Sequence, residues 1–306
     1  MPAIIVLAVL GSLASPSFLT LLNAVNILQE VAVLAFVTVA ESLVIIAGHF
    51  DLSLEGILSF APMLGAWLLT TQPPGSGLGL DPFAAVAVTI AVGAAIGATN
   101  GFFIVGLGLN SFLVTLAMQI LLVGLSYTLT TGLTISEPSH VFVWLGAQTV
   151  GIVPVGVIAA ILLFIIASLF MRYHKYGRFL YAIGGNREAA RTAGIRVNRI
   201  WFCLFIGSGV LAAIGGLVLS GQVDAVTVDQ GGGITLTIFA AAAIGGVSLN
   251  GGRGYLWGAA LGVLLLGLIT NVMTLAQVPS QVIQVIQGAI VLAALVINRS
   301  VAGRST

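Results

Sequence analysis

Stretches of some twenty apolar residues recur along this chain from end to end, and no segment between them is long or polar enough to make an independent soluble domain. A helix that crosses a bilayer needs roughly 20 mostly apolar residues, and only helices or closed barrels satisfy every backbone hydrogen bond inside hydrocarbon. Charge agrees with this. Charged residues make up 6% of the chain and the mean hydropathy is +1.17, where a soluble domain carries roughly 25% charged residues. The 306 residues therefore read as all-α: one polytopic membrane domain over 1–306.

Breaks at Gly, Pro and polar clusters divide the runs into about ten helices, over 3–14, 27–48, 52–70, 83–105, 110–131, 152–171, 200–220, 233–248, 255–275 and 281–298. The run 3–14 lacks the charged head of a leader peptide. At 1.5 Å per residue it also falls short of a core about 30 Å thick, so it reads as a first transmembrane helix incomplete at its start. The polar break near 48–56 predicts a discontinuous or re-entrant region. Its Ser53-Leu54-Glu55-Gly56 is echoed by Ser248-Leu249-Asn250-Gly251, as in transporters that place broken helices at matching positions of repeated halves.

Seven of the ten Lys and Arg residues lie between Arg172 and Arg199. The positive-inside rule puts that loop, 172–199, in the cytoplasm, and alternation then brings Arg253, Arg299 and Arg304 to the same side with both termini. The loops left outside hold Asp81, Glu137, Asp224 and Asp229 and no basic residue. Gly93, Gly97 and Gly101, and again Gly258 and Gly262, make small-residue stripes suited to close helix packing, within the chain or between subunits.

Chemistry is constrained mostly by what is missing. The single lysine, Lys175, lies in no phosphate-binding loop, and His49, His140 and His174 are scattered. The lone cysteine, Cys203, rules out an internal disulfide. No catalytic, metal or cofactor residue is assigned, and the segregated charge suggests no nucleic-acid partner. Within the basic loop, Gly184-Gly185-Asn186-Arg187 reads as a turn, with Asn186 capping a short helix from Glu188 to Ala193 that Gly194 stops. Such a helix suits docking of a soluble partner; charges that only set topology and bind anionic membrane lipid are the alternative. Glu41, Asp51 and Glu55 would each cost about 2.5–3.5 kcal/mol in hydrocarbon, so they should face a cavity or pair inside the bundle, and the cavity is favoured here. Asp51 also suits the cap of the third helix. With His49, Ser53, Asn100, Gln119 and Asn271 these carboxylates form the candidate substrate pathway, although amides in such helices more often bond between helices. Glu30 reads as solvated.

The string from Tyr181 to Asn198, Tyr-Ala-Ile-Gly-Gly-Asn-Arg-Glu-Ala-Ala-Arg-Thr-Ala-Gly-Ile-Arg-Val-Asn, resembles the cytoplasmic coupling loop of the ribose/simple-sugar type permeases of bacterial ABC importers. The segments Leu43–Gly48 with Asp51-Leu52-Ser53, and Ile244–Gly254, are similar to the same family, and the likeness runs from about Asn26 to Asn298. The resemblance implies a non-catalytic permease of the bacterial inner membrane with several partners: an ABC ATPase that uses ATP and Mg, a second permease copy or related chain, and a periplasmic or lipid-anchored substrate-binding protein. It also implies that Gly185, Asn186, Arg187, Glu188, Ala189, Ala190, Arg191 and Gly194 couple to the ATPase. His49, Phe50, Glu55-Gly56, Thr235 and Thr237 depart from the family pattern, which puts ribose itself in question as cargo. Two other readings stay open: an ATP-independent secondary transporter or channel with Glu41 and Asp51 holding a coupling ion, and an intramembrane enzyme built on Ser53 and His49.

Overall fold

The computed structural model describes residues 2–302. Its helices, in chain order, are α1 (Pro2–Ala14), α2 (Leu21–Ile46), α3 (Ser53–Leu69), α4 (Pro82–Gly101), α5 (Ser111–Thr130), α6 (His140–Ala147), α7 (Val155–Tyr173), α8 (Lys175–Gly185), α9 (Arg187–Thr192), α10 (Val197–Val223), α11 (Ile234–Ile244), α12 (Leu256–Leu275) and α13 (Ser280–Ala302). A π-helical turn, Phe102–Gly106, extends α4. Two short antiparallel ladders, β1 (Ile135–Ser136) with β4 (Ala225–Val226) and β2 (Thr149–Val150) with β3 (Val153–Pro154), tie the loops at the end of the bundle away from the basic residues.

Each of the ten expected segments contains a helix, and the polytopic all-α architecture stands. Among the described residues, 6 helices are long and apolar enough to cross a membrane: α2, α4 with its π turn, α5, α7, α10 and α12. The apolar stretches of α1, α3, α11 and α13 are shorter. For two of these the reason is internal. α3 begins only after the buried Asp51, and the 11 residues of α11 reach about 16 Å, half of a hydrocarbon core, because the chain from Thr227 to Gly233, after β4, folds as a loop ahead of it. The loop expected over 132–150 also contains α6, whose Phe142, Val143 and Gly146 are buried.

At the centre lies α10, packed against α2, α3, α4 and α6. The glycine stripe of α4 serves this contact. A Cβ on Gly93 would strike the Gly209 carbonyl, one on Gly97 the Phe205 carbonyl, and one on Gly209 the Gly93 carbonyl, so the two backbones touch as small-residue helix pairs do. The second stripe also packs internally, Gly258 against Gly245 and Gly262 against Ala241. Gly209→Leu is expected to drive α4 off α10 and abolish recovery of folded chain from membranes, as monitored by size-exclusion chromatography; a monodisperse wild-type profile would refute the contact. Pro62 lies inside α3 and leaves the Leu58 carbonyl without its helical donor. Gln230 Nε2 fills that vacancy at 2.8 Å.

Candidate functional site

The basic loop folds into two helices rather than one. α8 buries Gly177, Leu180 and Ile183 along one side and keeps its charges outside, an amphipathic drive that continues the helix through Gly184 and Gly185, where the sequence suggested a turn. Gly184 can be nothing else: a Cβ there would collide with the Ile46 carbonyl and the Gly252 amide. Asn186 then breaks the helix and caps α9, its Oδ1 accepting from Ala189 N at 2.9 Å. Gly194, at φ +81, ends the turn. Within α9 only Ala190 is buried; Glu188 is exposed and pairs with Arg191 at 3.5 Å.

This two-helix element touches the broken helices directly. The Arg187 guanidinium lies 4.7 Å over the ring of Trp201. Trp201 Nε1 donates to the Ala47 carbonyl at 3.0 Å, and its ring meets that of His49 edge-on, centroids 4.2 Å apart. Gly252 N donates to the Ile46 carbonyl at 2.9 Å, while the Tyr181 hydroxyl donates to the Gly254 carbonyl at 2.8 Å. Burial raises the Tyr181 pKa above the usual phenol value, so the hydroxyl keeps this donor proton at neutral pH. The break after α2 and the break between α11 and α12 therefore meet on the glycines of α8. A displacement of α8 and α9 reaches both.

Beyond the first break lies a buried polar cluster. Asp51 Oδ1 accepts from the Ser53 backbone N at 3.1 Å and from the Ser53 hydroxyl, and Oδ2 accepts from Ser208 Oγ at 2.7 Å. Asn100 Nδ2 donates to Ser53 Oγ at 2.7 Å. Thr115 Oγ1 accepts from Leu52 N at 3.0 Å, and the Glu41 carboxylate faces Asp51 N at 3.3 Å. Glu41, Asp51, Ser53 and Asn100 are all buried. Asp51 thus orders the entry to α3 and ties it to α10, and these carboxylates pair inside the bundle.

Glu55, one turn into α3, is a cap for a different helix. Its Oε1 accepts from Gln119 Nε2 at 2.9 Å and Gly233 N at 3.2 Å, and its Oε2 from Thr235 N at 3.1 Å. A carboxylate at the N-terminus of α11 satisfies amides that the helix itself leaves free and sits at the positive end of its dipole. The structure thus joins Glu41, Asp51, Ser53 and Asn100 in one network and Glu55 with Gln119 in a second, while His49 packs on Trp201 and Phe205 of α10. Asn271 stands apart, in a reciprocal amide pair with Asn23 at 2.8 and 3.0 Å.

A cavity of about 460 Å³ opens between α2, α10, α11, α12 and α13. Its wall mixes aliphatic side chains with amides and hydroxyls, Gln29, Gln222, Gln230, Thr270 and Gln287, and Glu30 stands beside them. Sequence reasoning passed over this group because its members are spread over four helices and the loop before α11, at no telling spacing. Ser208 and Trp201 carried no telling spacing either, and Gly184, read as part of a turn, gave no hint of the contact that requires it.

The chain matches the family described as "Branched-chain amino acid transport system / permease component" over residues 23–295. It belongs to that family. Among its relatives, the ribose import permease protein RbsC of Escherichia coli (strain K12) is 32% identical over 300 residues, covering 97% of this chain and 91% of that one. The D-allose transport system permease protein AlsC of the same strain is 31% identical over 296 residues, covering 96% and 89%. The L-arabinose ABC transporter permease protein AraH of Azospirillum brasilense is 29% identical over 288 residues, covering 94% and 83%. No solved structure gives a significant match. Membership makes the chain a permease component, a transport subunit that spans the membrane several times. The family description and the names of these relatives differ in the solute they mention, so the solute is argued separately.

Proposed function

We propose that this permease component serves an ABC importer for a monosaccharide or a closely related polar solute. It sits in the bacterial inner membrane with both termini in the cytoplasm, paired with a second copy or a related permease. A separate ATPase docks on α9 through Gly185 to Arg191 and Gly194 and uses ATP and Mg. A periplasmic or lipid-anchored binding protein delivers solute from the other side. The observation that carries this reading is the end-to-end likeness to permeases named for three different simple sugars.

Geometry supports a mechanism. Closure of the ATPase pushes α9; Arg187 on Trp201 and Gly184 against Ile46 and Gly252 pass the displacement to both helix breaks. Those breaks anchor α3 and α11, the short helices that meet at Glu55. Helices that begin inside the bundle can tilt without dragging a whole span through lipid, which suits alternating access around a site near the midplane. The amide-lined cavity offers the donors and acceptors that a polyhydroxylated solute needs when it leaves water. The test is copurification from membranes together with uptake of labelled ribose, allose and arabinose. An ATPase should copurify and uptake should fail on ATP depletion; uptake that survives ATP depletion but stops when the proton gradient is collapsed would overturn the reading.

A further inference from the structure

On the basic side, a groove of about 750 Å³ runs between α2, α7, α8 and α10. One face of α10 forms its long wall, with Arg199, Ile200, Cys203, Leu204, Gly207 and Leu211 in helical register. From Arg199 to Leu211 the helix rises about 18 Å, comparable to one leaflet of a hydrocarbon core about 30 Å thick. Gly207 is exposed, and a Cβ there would meet nothing within 4 Å, so the missing side chain leaves the slot open at that depth.

Polarity changes along the groove. Lys175, Arg196 and Arg199 stand at its mouth, and below them the lining is mainly aliphatic and aromatic, with Phe170, Phe179 and Leu180 opposite α10. Among the described residues none of the three cations has an acidic partner; the ion pair of this region is Arg191 with Glu188. Cations above an apolar slot of leaflet depth complement a molecule with an anionic head and a hydrocarbon tail. A second copy of the chain, packed symmetrically on this face, would set like charges against each other.

We propose that this groove binds one anionic phospholipid of the cytoplasmic leaflet, its phosphate among Lys175, Arg196 and Arg199 and one acyl chain along α10 past Cys203 to Gly207. Gly194 and Ile195, which follow α9, also line the groove. Bound lipid therefore braces the α8–α9 element against α10 and makes coupling sensitive to the charge of the inner leaflet.

The test uses the purified full-length chain without an ATPase, so it stands apart from the transport reading. Chain equilibrated in micelles with equal parts phosphatidylcholine and phosphatidylglycerol is analysed by native mass spectrometry. One phosphatidylglycerol should remain bound under collisions that strip phosphatidylcholine. Gly207→Leu, which fills the slot, should lose it; Arg196→Ala with Arg199→Ala, which leaves the slot intact, should weaken retention about thirtyfold. Equal retention of both lipids, or retention of phosphatidylglycerol by the double arginine variant, would overturn the proposal. So would equal binding of glycerol phosphate, which marks a free-phosphate site, or efficient Cys203-to-Cys203 cross-linking between copies, which marks a subunit interface.

Discussion

Lysine in place of Glu188 is expected to reduce solute uptake by the assembled transporter to background while the permease still inserts and folds. The Glu188 side chain is 77% exposed and its ion pair with Arg191 is open to solvent, a class of interaction worth about 0–1 kcal/mol, so global stability is scarcely touched. Locally the change is large. Glu188 occupies the first turn of a 6-residue helix, where a negative charge offsets the positive end of the dipole and a lysine adds to it. Asn186 is the side-chain cap of that helix and Ala190 its buried residue, so little else resists fraying. On the proposed docking, the charge of the surface offered to the ATPase is reversed at the same time. Gly194→Leu should act similarly, because φ +81 costs an L-residue about 1–2 kcal/mol and shifts the end of α9, although the space around Gly194 is open. Uptake in whole cells, beside immunoblots of membranes for insertion, checks both. Wild-type uptake by either variant would remove α9 from the coupling role.

Alanine in place of Glu55 is expected to destabilise the bundle itself. The substitution leaves Gly233 N, Thr235 N and Gln119 Nε2 without their acceptor, each orphaned donor costing about 1–3 kcal/mol where water is scarce. The expected loss is therefore roughly 3 kcal/mol or more, read as a lowered melting temperature of the purified chain in detergent. Glu55→Gln keeps one acceptor oxygen and should fall between alanine and wild type. If all three melt alike, Glu55 does not hold α11. The Glu55 carboxylate couples α3 to the start of α11, and Ser59 Oγ, accepting from Gly231 N at 2.9 Å, reinforces the same junction.

Features encoded locally were legible in advance. Asn186, Glu188 and Gly194 form cap, first turn and stop within nine consecutive positions, and the structure builds α9 almost where they place it. The polar break near 48–56 likewise appears as the gap between α2 and α3. The glycines of α4 were recognisable as a packing stripe, with internal packing favoured over a subunit interface, and Gly209 on α10 is that internal partner. The continuation of α8 through two glycines was misread, because the tertiary contact that requires Gly184 comes from Ile46 and Gly252, far away in the chain. For the acidic residues a cavity was the favoured expectation, and the structure gives the other one, burial with partners inside the bundle. The donors that settled it, Ser208 for Asp51 and the amides of Gly233 and Thr235 for Glu55, are 157, 178 and 180 positions away.

By itself the sequence determined the solvent of this protein, its charge asymmetry and its short capped helix, because hydropathy, the placement of lysine and arginine, and capping act over a few residues to a single span. Which apolar segments become half-helices, which carboxylate holds which helix, and how α9 reaches the two breaks were decided only by the tertiary structure. The physical reason is common to all three. Inside hydrocarbon a polar atom must find its partner within the protein, and that partner is chosen by which helices lie side by side, not by which residues follow one another.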